Sequence, residues 1–374
     1  MQNKIINADV YQVKVTEKTN WLFVKLENNQ SIIGWGEASL QGKSNEILQI
    51  KDKIFELILN KPYSNPLDFK LNLPFKNIVE ASISSSIMQC LWDIQGKIEN
   101  KTISSMFGKK NDLIQTYANF NRSTYDRSLN GVKLRACEVL KDEYNFVKFA
   151  PFDEVNPSME TSDILENMQF GLKRIEVIRN VFGPEVNIMI DCHWRFNYLS
   201  TLELIKECDK FNLYWLECPI IENSQNIHYI KKIRDKANNL GIKLAGLEKK
   251  ILKEGYIEFL KAGTYDVMMP DIKYAGGPDE LINIEKLFNL YQVEFSPHNP
   301  SGPIAHGHTL HICSSIKNNP LMETQYKETP LFDLLLDKPN PKINFGKSKV
   351  PHNNGGLGVS INEDNLKRVC NYFL

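Results

Sequence analysis

Between residues 141 and 326, short apolar runs repeatedly stop on a residue that can do polar chemistry. They are Tyr144-Asn-Phe-Val-Lys148, Val186-Asn-Ile-Met-Ile-Asp191, Leu213-Tyr-Trp-Leu-Glu217, Ile242-Lys-Leu-Ala-Gly-Leu-Glu248, Tyr265-Asp-Val-Met-Met-Pro-Asp271 and Val293-Glu-Phe-Ser-Pro-His298. Runs this short, bounded by turn residues and separated by helix-like stretches, predict buried parallel strands. Ile114–Phe120 and Leu321-Met-Glu323-Thr extend the series at either end. A regular strand–helix repeat closes most simply as a (β/α)8 barrel, whose chemistry sits at the C-terminal ends of its strands. Lys148, Asp191, Glu217, Glu248, Asp271 and His298 are then aimed at one mouth.

The pattern differs upstream. Val10–Val15 and Trp21–Leu26 alternate, the polar turn Glu27-Asn-Asn-Gln follows, and Ser31–Glu37 returns, which predicts a small antiparallel sheet. The period changes to about 3.6 residues over 44–59 and 77–100, predicting helices. The expected fold is therefore α/β. An α+β capping domain spans 1–112, the barrel 113–335, and a segment over 336–374 packs back on the capping domain.

Composition removes several alternatives. The 374 residues carry 45 basic and 45 acidic side chains with no charge block, so neither a nucleic-acid nor a membrane-surface footprint is present. The N-terminal stretch lacks a signal-peptide apolar core, and the seven scattered cysteines form no CxxC pair, which predicts reduced thiols and a cytoplasmic protein.

Asp191, Glu217 and Glu248 end three consecutive strands. Neighbouring strands lie about 4.8 Å apart, so the three carboxylates converge. So much like charge calls for a hard divalent cation, and oxygen ligation suits Mg2+; taken singly, each acid also reads as a salt bridge at the rim. Cys192 and Cys218 follow two of these acids, and strand alternation turns them outward into packing. Asp271 beside His298 would fix the imidazole tautomer and raise its basicity, as a general base requires. His193, two residues beyond Asp191, points into the mouth if the chain stays extended. Glu323 either contacts a substrate carboxylate or forms a rim salt bridge. His306, His308 and His311 read as structural.

In this order the residues resemble the enolase superfamily, specifically its mandelate racemase-like branch. Gly34-Trp-Gly-Glu-Ala38 resembles the hairpin of that family's capping domain, and Ala81–Gly96 its signature helix. The resemblance covers nearly the whole chain. It implies one Mg2+ per subunit on Asp191, Glu217 and Glu248, a His298–Asp271 dyad, and proton abstraction α to a substrate carboxylate through an enediolate. It also implies a homo-oligomer, dimer or octamer, acting on a small carboxylate. Lys148 matches the first lysine of the branch's Lys-x-Lys pair, but Ala150 replaces the second, which counts against a racemase. Asp191-Cys-His193-Trp-Arg195 resembles the sugar-acid dehydratases, implying His193 as the acid for the departing β-hydroxyl. Lys148 and Glu323 would then support the carboxylate and intermediate. Arg195, Asn119 and Arg122 are candidates for binding substrate, Arg195 reading equally as a rim salt bridge. Loops near Thr19–Trp21 and Leu40–Lys43 are candidates for closing over substrate. A cycloisomerase or epimerase, or an inactive barrel that only binds a sugar acid, are the alternative readings.

Overall fold

Three antiparallel strands open the chain: β1 (Asn3–Lys14), β2 (Asn20–Asn28) and β3 (Ile33–Glu37), with the short β4 (Pro62–Tyr63) pairing the start of β1. The computed structural model describes residues 2–17, 19–352 and 355–373. Both faces of this small sheet are apolar, and each has its own burial partner. Val10, Leu22, Val24 and Leu26 pack with Ile83, Ile87 and Leu91 of the long Ile78–Glu99 helix. Tyr11, Val13, Trp21, Phe23 and Trp35, on the other face, join the cluster of apolar residues that surrounds the barrel. A strand normally alternates because one face meets water; here the second face is covered by the barrel itself. Sheet and helix almost touch. A Cβ on Gly34 or Gly36 would lie 2.3 or 2.2 Å from the carbonyl oxygens of Cys90 and Ser86, so only glycine fits in Gly34-Trp-Gly-Glu37.

Eight parallel strands follow: β5 (Leu113–Asn119), β6 (Phe146–Phe149), β7 (Asn187–Asp191), β8 (Leu213–Glu217), β9 (Lys243–Gly246), β10 (Val267–Met268), β11 (Glu294–Phe295) and β12 (Met322–Gln325). Their order is β11-β10-β9-β8-β7-β6-β5-β12. At the seam between β11 and β12 the Ser296 hydroxyl donates to the Leu321 carbonyl. Tyr117, Met189, Trp215, Ala245, Val267 and Met269 fill the interior, so the mouth sits on a packed plug rather than a channel.

Strands β9 to β11 are shorter than expected from the apolar runs. Glu248, Asp271 and His298 lie on the turns just beyond them. Two of these stops have a simple cause: Pro270 and Pro297 lack the N–H that a continuing ladder needs. The third is a turn through Leu247, at φ 68°.

After a short Leu331–Leu334 helix, the chain runs back along the barrel. β13 (Lys347–Lys349) pairs antiparallel with the start of β5, and β14 (Cys370–Phe373) completes the capping sheet against β1. Among the described residues no helix is long and apolar enough to cross a membrane.

Candidate active site

Asp191 and Glu217 stand opposite each other in the β7–β8 register. Glu248 joins Glu217 through the left-handed turn at Leu247, while Asp191 lies outside the tightest group of donors. Donor atoms of Glu217, Glu248 and Cys218 all lie within 4.8 Å of one another. The thiol therefore faces the carboxylates, contrary to the expectation that strand alternation turns it outward. Cys218 has φ 46°, so it has already left the strand when its side chain is set. Burial, with Glu222, Glu248 and Glu217 adding to it, pushes the Cys218 thiol well up, leaving a neutral sulfur beside the cluster. Cys192 is packed in the apolar layer as expected.

The cluster has more negative charge than its neighbours balance. Burial drives the Glu217 carboxyl well above the carboxylate range; Lys148 opposes this, while Asp191, Glu323 and Glu248 add to it. Glu217 Oε1 accepts from Lys148 Nζ at 2.7 Å, and Oε2 accepts from the Trp215 indole at 3.0 Å. Lys148 Nζ also lies 3.1 Å from Glu323 Oε1. One buried lysine thus serves two carboxylates, with Asp191 adding to the negative charge around it. Hard oxygen donors in excess of local cations are what a divalent metal ion requires.

His298 sits at the edge of this cluster. Its Nδ1 is 2.8 Å from Asp271 Oδ2 and 3.3 Å from the Tyr274 hydroxyl, while Nε2 is 3.2 Å from Glu248 Oε2. One ring nitrogen is held from behind and the other faces the mouth. Lys273, which sequence reasoning passed over, adds to this arrangement: its Nζ is 2.8 Å from the same Asp271 oxygen, and it donates to Ser301 Oγ. The signal was a lone lysine in the apolar run that ends in Met269-Pro-Asp-Ile-Lys273. Burial opposes ionisation of Asp271, but Lys273 and His298 together hold its carboxyl below the usual range.

His193 reaches the mouth by a different route from the one expected. β7 ends at Asp191, and His193 and Trp194 both adopt left-handed backbone, φ 47° and 55°. The turn folds the ring back so that Nε2 lies 2.8 Å from Asp191 Oδ2, while the His193 N–H donates to Oδ1 at 2.9 Å. The ring is partly exposed at the mouth; its partial desolvation disfavours the imidazolium, but Asp191 and Glu248 outweigh it and raise the His193 pKa. Glu222, also unanticipated, accepts from the Trp194 indole at 2.9 Å, the Leu247 N–H at 2.7 Å and the Tyr265 hydroxyl at 2.8 Å.

Glu323 is fully buried. Burial opposes its charge, but Lys148 and His298, with hydrogen bonds from Asn119 Nδ2 (2.7 Å) and the Asn299 N–H (2.8 Å), bring it down to about 2. Asn119 is therefore committed to Glu323 through its amide nitrogen. Arg195 donates to the Asp153 and Val155 carbonyls at 2.9 and 2.8 Å, fastening a loop rather than forming a rim salt bridge. Arg122 lies 3.5 Å from both Glu328 Oε1 and the Pro300 carbonyl, next to the loop that follows His298. Thr19 of the capping unit donates to that same Glu328 oxygen at 3.2 Å, and Trp21 is buried against Phe332. Lys43 of the second candidate loop pairs locally with Glu46. His306, His308 and His311 are buried in the Pro303–Ser315 helix.

Comparison with known proteins agrees with this architecture. Residues 132–365 match the family profile described as enolase C-terminal domain-like, and residues 7–108 match that of the mandelate racemase/muconate lactonizing enzyme N-terminal domain. D-galactonate dehydratase from Xanthomonas campestris pv. campestris is 26% identical over 363 residues, covering 93% of this chain and 91% of the relative. A crystal structure from Zymomonas mobilis ZM4 superposes with a TM-score of 0.89 at 23% identity, covering 99% of both chains. That of 3,6-anhydro-D-galactonate cycloisomerase from Zobellia galactanivorans gives 0.85 at 25% identity, covering 98% of this chain and 99% of that one. A capping sheet whose inner face is buried on the barrel, carboxylates at adjacent strand ends, and profile matches over both parts of the chain place this protein in the mandelate racemase/muconate lactonizing enzyme family of the enolase superfamily.

Proposed function

We propose that this protein is a Mg2+-dependent dehydratase of a sugar acid, converting it to a 2-keto acid with loss of water. One observation carries the reading. Two histidines flank the carboxylate row from opposite ends, His193 on Asp191 and His298 on Glu248, with Glu217 on the strand between. A single histidine suffices to exchange an α-proton; elimination also needs a proton donor for the departing oxygen.

Asp191, Glu217 and Glu248 would hold the metal, which when bound supplies positive charge at the substrate carboxylate. His298 Nε2 takes the proton from the carbon next to the carboxylate, and Asp271 receives the resulting imidazolium through Nδ1. The electron pair left on that carbon forms the new C=C bond as the β-carbon–oxygen bond breaks. His193 gives its proton to the leaving oxygen, releasing water, and the enol product tautomerises to the 2-keto acid. Lys148, held between Glu217 and Glu323, supports the substrate carboxylate and the charge that develops on it. The match to D-galactonate dehydratase supports a C6 aldonate as substrate class.

A second reading follows from the likeness to a 3,6-anhydro-D-galactonate cycloisomerase. In a 3,6-anhydro acid the β-oxygen is a ring ether. The same proton abstraction and elimination then open the ring without loss of mass. Incubation with Mg2+ and either D-galactonate or 3,6-anhydro-D-galactonate, read by mass spectrometry and a carbonyl reagent, separates the two. Keto acid lighter by one water, abolished in His298→Asn, supports dehydration. Product of unchanged mass supports the second reading. If no aldonate in a C5 and C6 panel gives keto acid or exchanges its α-proton in D2O, both readings fail and a binding-only barrel remains.

A further inference from the structure

The capping domain sends one carboxylate to the turn that follows His298. Glu37, at the end of β3, is fully buried and accepts from the Gly302 N–H at 2.8 Å, the Ala305 N–H at 3.0 Å and the Ser39 hydroxyl at 2.7 Å. Gly302 begins the turn into the Pro303–Ser315 helix, so Glu37 takes the place an anion would occupy at that helix N-terminus. The fit is close: a Cβ on Gly302 would lie 2.9 and 3.0 Å from the two Glu37 oxygens. The neighbouring residue, Ser301, accepts from Lys273 Nζ. Gln89 of the Ile78–Glu99 helix makes a second tie. Its side chain bonds the Glu37 N–H (3.1 Å) and carbonyl (3.2 Å) and also the carbonyl of Ile272, immediately before Lys273.

Lys273 Nζ and His298 Nδ1 compete for a single oxygen, Asp271 Oδ2, each at 2.8 Å. A buried lysine with Asp271 as its sole counterion would claim that carboxylate outright. A second anion on the same turn, Glu37 on the N–H of Gly302 next to Ser301, draws on the charge of Lys273 and leaves Asp271 available to the imidazole. Resting on the reading of His298 as the base, we infer that Glu37 is a positioning residue for the reaction: the docked capping domain uses it to restrain Lys273, through the Ser301–Gly302 turn, so that Asp271 stays oriented on His298. Consistent with this, burial raises the Glu37 pKa and Lys273 is the largest influence opposing it.

The inference separates from ordinary packing because two losses should cancel. In Glu37→Gln, Lys273 pairs wholly with Asp271, and kcat falls about tenfold or more with little change in KM. Lys273→Met leaves two buried carboxylates, Asp271 and Glu37, without the lysine's charge and unfolds at lower temperature. The double variant removes one charge of each sign and restores an ordinary Asp–His pair. It should therefore be more active than Glu37→Gln and melt higher than Lys273→Met. Both are measured on the full chain with Mg2+, by α-proton exchange of D-galactonate and 3,6-anhydro-D-galactonate in D2O and by thermal unfolding. Additive losses in the melting series overturn the inference without any substrate. Additive losses in exchange rate, in a wild-type protein that does exchange, overturn it while leaving the dehydratase reading intact. A wild-type protein that exchanges the α-proton of neither acid removes the base role itself, and this inference with it.

Discussion

Trp194 and Glu222 are joined by a 2.9 Å hydrogen bond from indole to carboxylate, and that bond holds the turn carrying His193. The other Glu222 oxygen accepts from the Leu247 N–H, next to Glu248. One side chain thus braces two left-handed turns that present functional groups from different strands.

Replacing Glu222 by alanine should therefore weaken the site without unfolding the barrel. Groups that orient metal ligands typically contribute 10- to 100-fold to metal affinity, and a loss of about that size is expected in a Mn2+ titration. Circular dichroism of Glu222→Ala should stay close to wild type. Unchanged metal affinity would show that the turns at Trp194 and Leu247 hold without their shared carboxylate.

Metal binding should stabilise the fold by mass action. At 100 times its dissociation constant, a ligand specific for the native state adds about 2.7 kcal/mol. Added Mg2+ is thus expected to raise the melting temperature, and Asp191→Asn or Glu248→Gln should abolish the increase. A shift that survives both substitutions would place the ion elsewhere.

Lys148 is the shared counterion of Glu217 and Glu323, and all three are buried. Removing one partner of a buried ion pair typically costs about 3–5 kcal/mol, because a charge is left uncompensated. Lys148→Met should lose about that much in urea unfolding without metal, and less with Mg2+ present. Equal losses under both conditions would show that an ion at the carboxylates cannot substitute for the lysine.

Acid should loosen the docking of capping domain on barrel. Burial holds His306, His308 and His311 at about 4, against 6.5 for an exposed histidine. The geometry agrees. His311 Nδ1 accepts from the Ser104 N–H while Nε2 bonds the Leu357 carbonyl, which fixes a neutral ring; His308 Nε2 bonds the carbonyl of Trp35 in the capping sheet. These folded-state values are depressed, so the unfolded chain binds more protons between pH 6.5 and 4. Stability from these groups is complete above about 6.5, falls as pH drops towards 4 and then levels, each unit of depression being worth about 1.4 kcal/mol. Urea midpoints measured across that window should fall, and His308→Gln should lessen the slope. A flat profile from pH 6.5 to 4 would contradict neutral burial of these rings.

Much of this arrangement was readable along the chain. A buried strand in a closed sheet must be apolar and short, and a polar group that ends such a run lies at the mouth end of the barrel. Apolar runs ending in Asp191, Glu217, Glu248, Asp271 and His298 therefore revealed both the barrel and its candidate site. What failed to be read lay at the turns. Cys218 was expected to face outward and His193 to follow an extended chain, but both sit at positive φ. Backbone beyond the last ladder bond is not bound by the two-residue alternation.

Sequence alone thus determined the local features: which segments become strands and which chemical groups stand at or just beyond their ends. Those follow from interactions between near neighbours and from burial, which act on every residue in order. Only the tertiary structure decided who shares a charge with whom. Lys273 on the Ser301 turn, Glu37 against Gly302, and Lys148 between Glu217 and Glu323 are pairings across long stretches of chain. A buried charge must find its partner in space, and no periodicity along the chain records which one it finds.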